Sequence, residues 1–355
     1  MKLLSAIHRW TGAFLGLLLA ILGLTGAILL WEGAWIGLPG AHDRVVENTA
    51  VIGAIVDRAE AQGKLSRVSF ANDEIGLHQL TYSDGSGAYV TQAGQVVDQW
   101  RTQWERPELW LFDLHHHLFA GETGETVTGI AAIAGLLFVI TGTLLWWRSR
   151  STFRVRLWPK RMAPGPIVAQ HRDLGILVAP LLLLSLGTGV LMVFNPLRAA
   201  IVGREMRPKV SVSETAHDAS AQAILERAKQ RFPNAELRRI SFPAKPGRPI
   251  LVRMRQPAEW TPNGRTQLAF DARTGALRSI EDPLRGNRTT AITEKLYPIH
   301  AAKAGGLATK LLMTVSGLAL FLLGSLATYA FWARRTPKRR PGPSAISRAE
   351  PPVSV

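Results

Sequence analysis

Four stretches of this chain carry no charged side chain: 10–31, 126–147, 174–197 and 311–333, of 22, 22, 24 and 23 residues. A helix rises ~1.5 Å per residue, so each stretch is long enough to cross the ~30 Å hydrocarbon core of a bilayer. In that solvent every backbone N–H and C=O must be satisfied within the segment, which makes four transmembrane helices the frame of the fold. The first stretch is too long for the apolar core of a cleaved leader, and Trp31-Glu32-Gly33-Ala34-Trp35 offers no small-x-small cleavage site after it. It reads as an uncleaved anchor.

Basic residues orient this frame. Segment 148–173 holds seven against the single acid Asp173, and 334–355 holds six against Glu350, so both are expected in the cytoplasm. With Lys2 and Arg9 ahead of the first span, both termini are cytoplasmic, and 32–125 and 198–310 lie outside. The first outer region has 6 basic and 14 acidic residues and the second has 21 and 10. The net charge of +16 thus follows from topology and one basic outer region, and is not a nucleic-acid signature. That basic region suits either an anionic partner or a solvated position near acidic headgroups.

Composition also limits the chemistry. The chain has no cysteine. That removes thiolate metal sites, iron–sulfur clusters, disulfides and covalent haem attachment through Cys-x-x-Cys-His. No P-loop, dinucleotide-binding glycine fingerprint or His-Glu-x-x-His motif is present. A redox cofactor would rest on the nine histidines.

The histidines follow an internal repeat. His8-Arg9-x-x-Gly12 leads to Thr25-Gly26, and His171-Arg172-x-x-Gly175 leads to Thr188-Gly189, with the Thr 17 residues after the His in both. Ala54–Ala59 returns as Ala223–Ala228, and Arg67-Val-Ser-Phe70 returns as Arg239-Ile-Ser-Phe242. The first pair of matches reads as an amphipathic helix and the second as the start of a strand. Leu114-His115 and Ile299-His300 are each followed by Gly after six residues and by Trp after 32, which aligns His115 with His300. The expected architecture is a four-transmembrane-helix bundle of two parallel repeats, each with a small outer α+β domain. Its divisions are 1–35 (span 1), 36–107 (outer domain 1) and 108–148 (span 2 with an outer extension). A basic cytoplasmic loop at 149–170 follows. Span 3 at 171–197, outer domain 2 at 198–292, span 4 with an extension at 293–335 and a disordered cytoplasmic tail at 336–355 complete the chain.

Orientation places His8 and His171 at the inner ends of spans 1 and 3, and His115 and His300 outside spans 2 and 4. Ionisable side chains at membrane depth are costly and mark functional sites. Two imidazoles from two facing helices suit a b-type haem held by axial histidines. Zinc, which takes three or four ligands, suits them less. Two haems, one per face, make an electron path across the bilayer. Arg9 and Arg172 are placed to meet haem propionates. His115 is 11 residues ahead of its uncharged stretch and would stand ~16 Å beyond it in a continuous helix, near the outer surface; alternatively the helix breaks at Gly121-Glu-Thr-Gly124. His116 and His117 are the substitutes for His115. His42, His78 and His217 lack a partner pattern and read as surface residues, and Trp10, Trp31, Trp146, Trp147 and Trp332 as an interfacial aromatic belt.

These residues resemble the PepSY-associated transmembrane proteins, a family that includes haem-containing inner-membrane ferric-siderophore reductases of Gram-negative bacteria. The resemblance runs to about Arg335 and rests on His8-Arg-Trp-x-Gly12, Leu114-His115 with Gly121 and Gly124, His171-Arg-x-x-Gly175, and Ile299-His300 with Gly306. It implies periplasmic PepSY-like domains. It further implies two b-type haems, with His8 and His171 as axial ligands of the inner one and His115 and His300 of the outer one. The implied activity is one-electron reduction of a ferric siderophore, fed by a cytoplasmic or quinone donor. Two other readings compete: a non-redox PepSY binding or sensing module, and a transporter of the siderophore or its iron. The transporter lacks support, since no span holds a charged residue or an evident break other than Pro180.

Overall fold

A computed structural model describes residues 2–205, 219–245 and 247–335. The tail with Lys338-Arg339-Arg340, and His217, lie outside the described residues. Four of the described helices are long and apolar enough to cross a membrane. They are α1 (Lys2–Leu29), α5 (Gly121–Trp147), α6 (Pro164–Val193) and α10 (Gly306–Ala333). Helix α6 continues through Pro180 and starts seven residues before His171, so part of the segment expected as loop is helical. α1 lies along α10, with Gly16 and Gly324 at the contact, and α5 lies along α6.

Between α1 and α5 the chain forms α2 (Glu32–Trp35), α3 (Thr49–Gln62), β1 (Leu65–Ser69), β2 (His78–Tyr82), β3 (Gly87–Val90), β4 (Val96–Trp100) and α4 (Pro107–His117). Between α6 and α10 it forms α7 (Asn195–Val202), α8 (Ala221–Arg231), β5 (Glu236–Ser241), β6 (Ile250–Arg255), β7 (Thr266–Phe270), β8 (Leu277–Glu281) and α9 (Arg288–His300).

Two separate small sheets were expected, and a single one is found. All eight strands form one antiparallel sheet in the order β4-β3-β2-β1-β5-β6-β7-β8. The join is between the two matched segments: Arg67 pairs with Ser241, Val68 with Ile240 and Ser69 with Arg239. Two four-stranded sheets would each leave an unpaired row of N–H and C=O groups on β1 and β5, and pairing these edges satisfies both. The core is shared as well. Val68 and Ile240 sit beside Val56 and Ile224 in one apolar cluster that draws on both halves. α3 and α8 cover that face together, and Asp57 on α3 accepts hydrogen bonds from Ala221 N and Ser220 Oγ at the start of α8. Each half therefore completes the other.

Candidate functional site

The structure brings the four candidate histidines together in two pairs. The ring centres of His8 and His171 are 6.2 Å apart, with planes at 81°. Those of His115 and His300 are 6.4 Å apart, with planes at 43°. We call the first the loop-end pair and the second the sheet-end pair.

The loop-end histidines stand on the spanning helices themselves: α1 packs along α10 and α6 along α5 and α10, and this brings His8 and His171 to face each other across the bundle. His8 also lies edge-on to Phe138 on α5, at 5.5 Å. Around the pair is a cavity of about 380 Å³, whose walls include Gly12, Gly175, Phe138 and Trp146. Arg9, Arg172, Arg334 and Arg335 are at its edge. Of these, Arg172 is already engaged. Its Nε donates to Asp173 Oδ1 at 2.8 Å and its Nη1 to Thr152 Oγ1 at 2.9 Å. Asp173 is wholly buried and also pairs with Arg156, so it ties the 150–156 segment to α6. The role expected for Arg172 toward a bound anion is thus largely taken by this loop.

The sheet-end pair depends on a fold-back: of the two arrangements expected for His115, a projecting helix and a break near Gly121-Glu-Thr-Gly124, the break is the one found, and it takes His115 away from the outer surface. A helix running straight into the span would leave His115 near the outer surface. Instead the helix breaks at Leu118 and Phe119, both with positive φ (48° and 60°), and α4 turns back against α5. The approach is tight enough that a Cβ on Gly124 would lie 1.5 Å from the His117 carbonyl oxygen, so only glycine fits. Thr128 Oγ1 then donates to the His116 carbonyl at 3.3 Å. His115 consequently lies beside Thr25, six residues inside the uncharged stretch that ends at Trp31. α9 does the same for His300, which reaches Thr188 on α6.

The repeated Thr-Gly now has a place in the site. Thr25 Oγ1 is 3.0 Å from His115 Nδ1, and Thr188 Oγ1 is 3.1 Å from His300 Nδ1. Beside them, a Cβ on Gly26 would come within 2.9 Å of His115 Cε1, and one on Gly189 within 3.3 Å of His300 Cε1. The threonine orients the ring and the glycine leaves room for it. His8 has the same arrangement from α5, where Thr141 Oγ1 is 2.8 Å from His8 Nδ1 and Gly142 faces the ring. His171 lacks it, and its Nδ1 is buried without a hydrogen-bond partner. Thr141 lies 26 residues after His115, and the residue 26 after His300 is Leu326.

The neighbours of His115 are turned to other tasks. His116 Nδ1 faces the Phe112 carbonyl at 2.9 Å, and His117 Nδ1 faces Asp113 Oδ1 at 3.0 Å. His42 is exposed, as expected of a surface residue. His78 is not: it is 3 % exposed and its Nδ1 accepts the Ala71 N–H at 2.9 Å. Burial pushes it down to about 4, which keeps it neutral and structural. Trp146, expected only at the interface, lines the loop-end cavity. Beyond α1, Glu32 is pushed up to about 7 by burial, with Lys303 opposing and Glu108 and Glu74 adding to the rise. Among the described residues no group of three or more His, Cys, Asp or Glu side chains forms a metal-ion site.

Four apolar helices, a joined sheet at one end and two facing histidine pairs define a membrane protein whose functional groups lie within the bundle. The chain matches the model of the PepSY-associated TM region over residues 5–335, and it belongs to that family. Comparison with functionally curated proteins gives no match.

Proposed function

We propose that this protein is a haem-dependent oxidoreductase of the bacterial inner membrane, with both termini in the cytoplasm. On this reading it carries electrons through two b-type haems and reduces Fe(III)-siderophore in the periplasm, releasing Fe(II). The observation that carries the proposal is the spacing within each pair. Two imidazoles bound on opposite sides of one metal atom, at ~2 Å per bond, have ring centres ~6 Å apart. Both pairs have this separation, at 6.2 and 6.4 Å.

The chemistry of the donors fits as well. In His8, His115 and His300 the Nδ1 faces a threonine hydroxyl, so Nε2 is the atom left to bind metal. A hydrogen-bonded second nitrogen is the usual support of a metal-bound histidine, since it sets the tautomer and the ring direction. Gly12 and Gly175 in the wall of the loop-end cavity leave open space where a planar ring system would need it, and Arg9, Arg334 and Arg335 put positive charge at the edge of that cavity, where carboxylates are favoured. Haem bound at these positions supplies one-electron carriage between the two membrane faces.

The protein's own part is to hold the pairs at fixed separation in a dry bundle and to present the sheet end to the chelate. One electron from a cytoplasmic or quinone donor reduces one Fe(III) to Fe(II). Hard oxygen ligands hold Fe(II) far less tightly, so the iron leaves and the siderophore is not broken. The test is to reduce the purified protein and follow its reoxidation by a panel of ferric chelates in a stopped-flow spectrometer. At least one chelate is expected to reoxidise it far faster than a generic oxidant does. Equal rates for all would remove the siderophore assignment.

A further inference from the structure

The face of the sheet turned away from α3 and α8 carries Arg67 and Arg239, neither of which has a carboxylate partner among the described residues. Side chains paired across an antiparallel ladder share a face, so Arg67 and Ser241 project to one side together with Ser69 and Arg239. Val68 and Ile240 project to the other side, into the core under the helices. Arg253 lies directly opposite Arg239 on β6 and extends the same face.

Several other arginines near this sheet have a carboxylate. Arg106 pairs with Asp98 and Glu108, Arg238 with Glu236, Arg265 with Glu205 and Arg278 with Asp271. Arg67 and Arg239 make no ion pair and no side-chain hydrogen bond among the described residues. The Nε of Arg67 is buried without a partner, and so is the hydroxyl of Thr81, its cross-strand neighbour on β2. Both arginines are half-buried. Like charges side by side in a ladder are destabilising, and so is burial of an unpaired cation. Burial, reinforced by Arg67 and Arg253, pushes Arg239 down to about 10. A fold that holds two such groups together, at the join of its two halves, is complementary to an anion.

The position relates this face to the sheet-end pair. Tyr297 is close enough to Arg239 to raise its basicity, and Tyr297 stands one helical turn before His300 on α9. The same α9 meets the connection between β6 and β7 through Glu294, which accepts the Trp260 N–H at 3.0 Å. Arg67 and Arg239 are matched by the repeat, as are His115 and His300, so each pair lies where the two halves meet.

We propose that Arg67 and Arg239 bind the anionic ligand groups of the ferric chelate, which makes the protein selective for carboxylate- or catecholate-type chelates over uncharged or cationic hydroxamate-type ones. The guanidinium fork matches such oxygen pairs in geometry as well as charge. This rests on the reduction proposed above, and the test separates the two by using gallium(III), which occupies the same chelates without being reducible there. The full-length protein in nanodiscs is titrated calorimetrically with gallium(III) citrate and with a gallium(III) trihydroxamate, and haem content is read by absorbance on the same samples.

Citrate-bound gallium should bind at least tenfold more tightly than the trihydroxamate. Arg67→Gln and Arg239→Gln should each weaken citrate-complex binding tenfold or more and leave the trihydroxamate unchanged. Arg67→Lys, which keeps the charge but loses the fork, should bind the citrate complex more tightly than Arg67→Gln and less tightly than the unaltered protein, and guards against misfolding as the cause. Selective binding by a preparation without haem would uphold the anion site while removing the redox function. Equal affinity for the two chelates, or no effect of either glutamine, overturns the proposal. So does loss of haem from the glutamine variants with chelate binding intact, because the arginines would then serve haem carboxylates.

Discussion

At the loop end, His8 and His171 belong to the spanning helices themselves. At the sheet end, His115 and His300 come from short helices folded back against those spans. The supports differ in a second way. Both sheet-end rings have a threonine at Nδ1, from Thr25 and Thr188, whereas at the loop end only His8 has one, from Thr141. By sequence register the residue that matches Thr141 is Leu326, and His171 Nδ1 is buried without a hydrogen-bond partner. One pair thus has matched supports and the other unequal ones. Hydrogen bonding to the second nitrogen raises the basicity of a metal-bound imidazole and fixes its orientation. The difference teaches that the loop-end pair is the less symmetrical of the two, despite being drawn from the more regular part of the fold, and on the proposed function it is expected to hold its haem less tightly.

The largest effect expected from this comparison comes from removing a ligand. His171→Ala should abolish haem at the loop end and spare the sheet end, and His300→Ala should do the reverse, as read by haem content and by difference spectra. Loss of both haems from either variant would mean that the pairs are not independent. Next comes loss of a support. Thr25→Val and Thr188→Val keep the side-chain shape and remove the hydroxyl, and each should weaken sheet-end haem retention ~10–100-fold, measured as haem transfer to an acceptor protein. Leu326→Thr tests the asymmetry from the other side. It supplies the missing hydroxyl to His171 and should slow haem loss from the loop end several-fold, leaving the sheet end untouched.

The smallest effect concerns Glu32, which stands beyond the sheet-end side of α1. Its folded value, about 7, lies above its ordinary 4.5, so its stabilising contribution is complete below about 4.5 and is lost as pH rises through about 7. Glu32→Gln should therefore raise thermal stability at pH 8 by at most ~3 kcal/mol and change little at pH 4, where both side chains are neutral. A gain that did not depend on pH would show that the carboxylate is not strained by its surroundings.

The spans and the pairing of His115 with His300 were legible in the sequence, because apolar length and a conserved register within one chain are local properties. A break near Gly121-Glu-Thr-Gly124 was legible as one alternative, but the fold-back of α4 that it permits was not. Pro107–His117 has no strong apolar run, and the break rests on positive φ at Leu118 and Phe119, residues that seldom adopt it. The joining of two sheets into one was also hidden, since the Val68–Ile240 contact links segments far apart in sequence and depends on which edges remain open. Thr25-Gly26 and Thr188-Gly189 were visible as a repeat, yet their partners are on other helices, so their role emerged only in three dimensions. Thr141-Gly142 was missed because the fourth span has Leu326-Ala327 in its place and no repeat marks it.

The central claim is that each histidine pair holds one haem. The most direct measurement is the haem-to-protein ratio of the chain purified from haem-replete cells, taken with its reduced absorption spectrum. The account predicts two b-type haems per chain, both with the low-spin spectrum of two axial histidines. A colourless protein would contradict it outright, and a single haem lost equally on substitution of His8 or His115 would contradict the assignment of two separate sites.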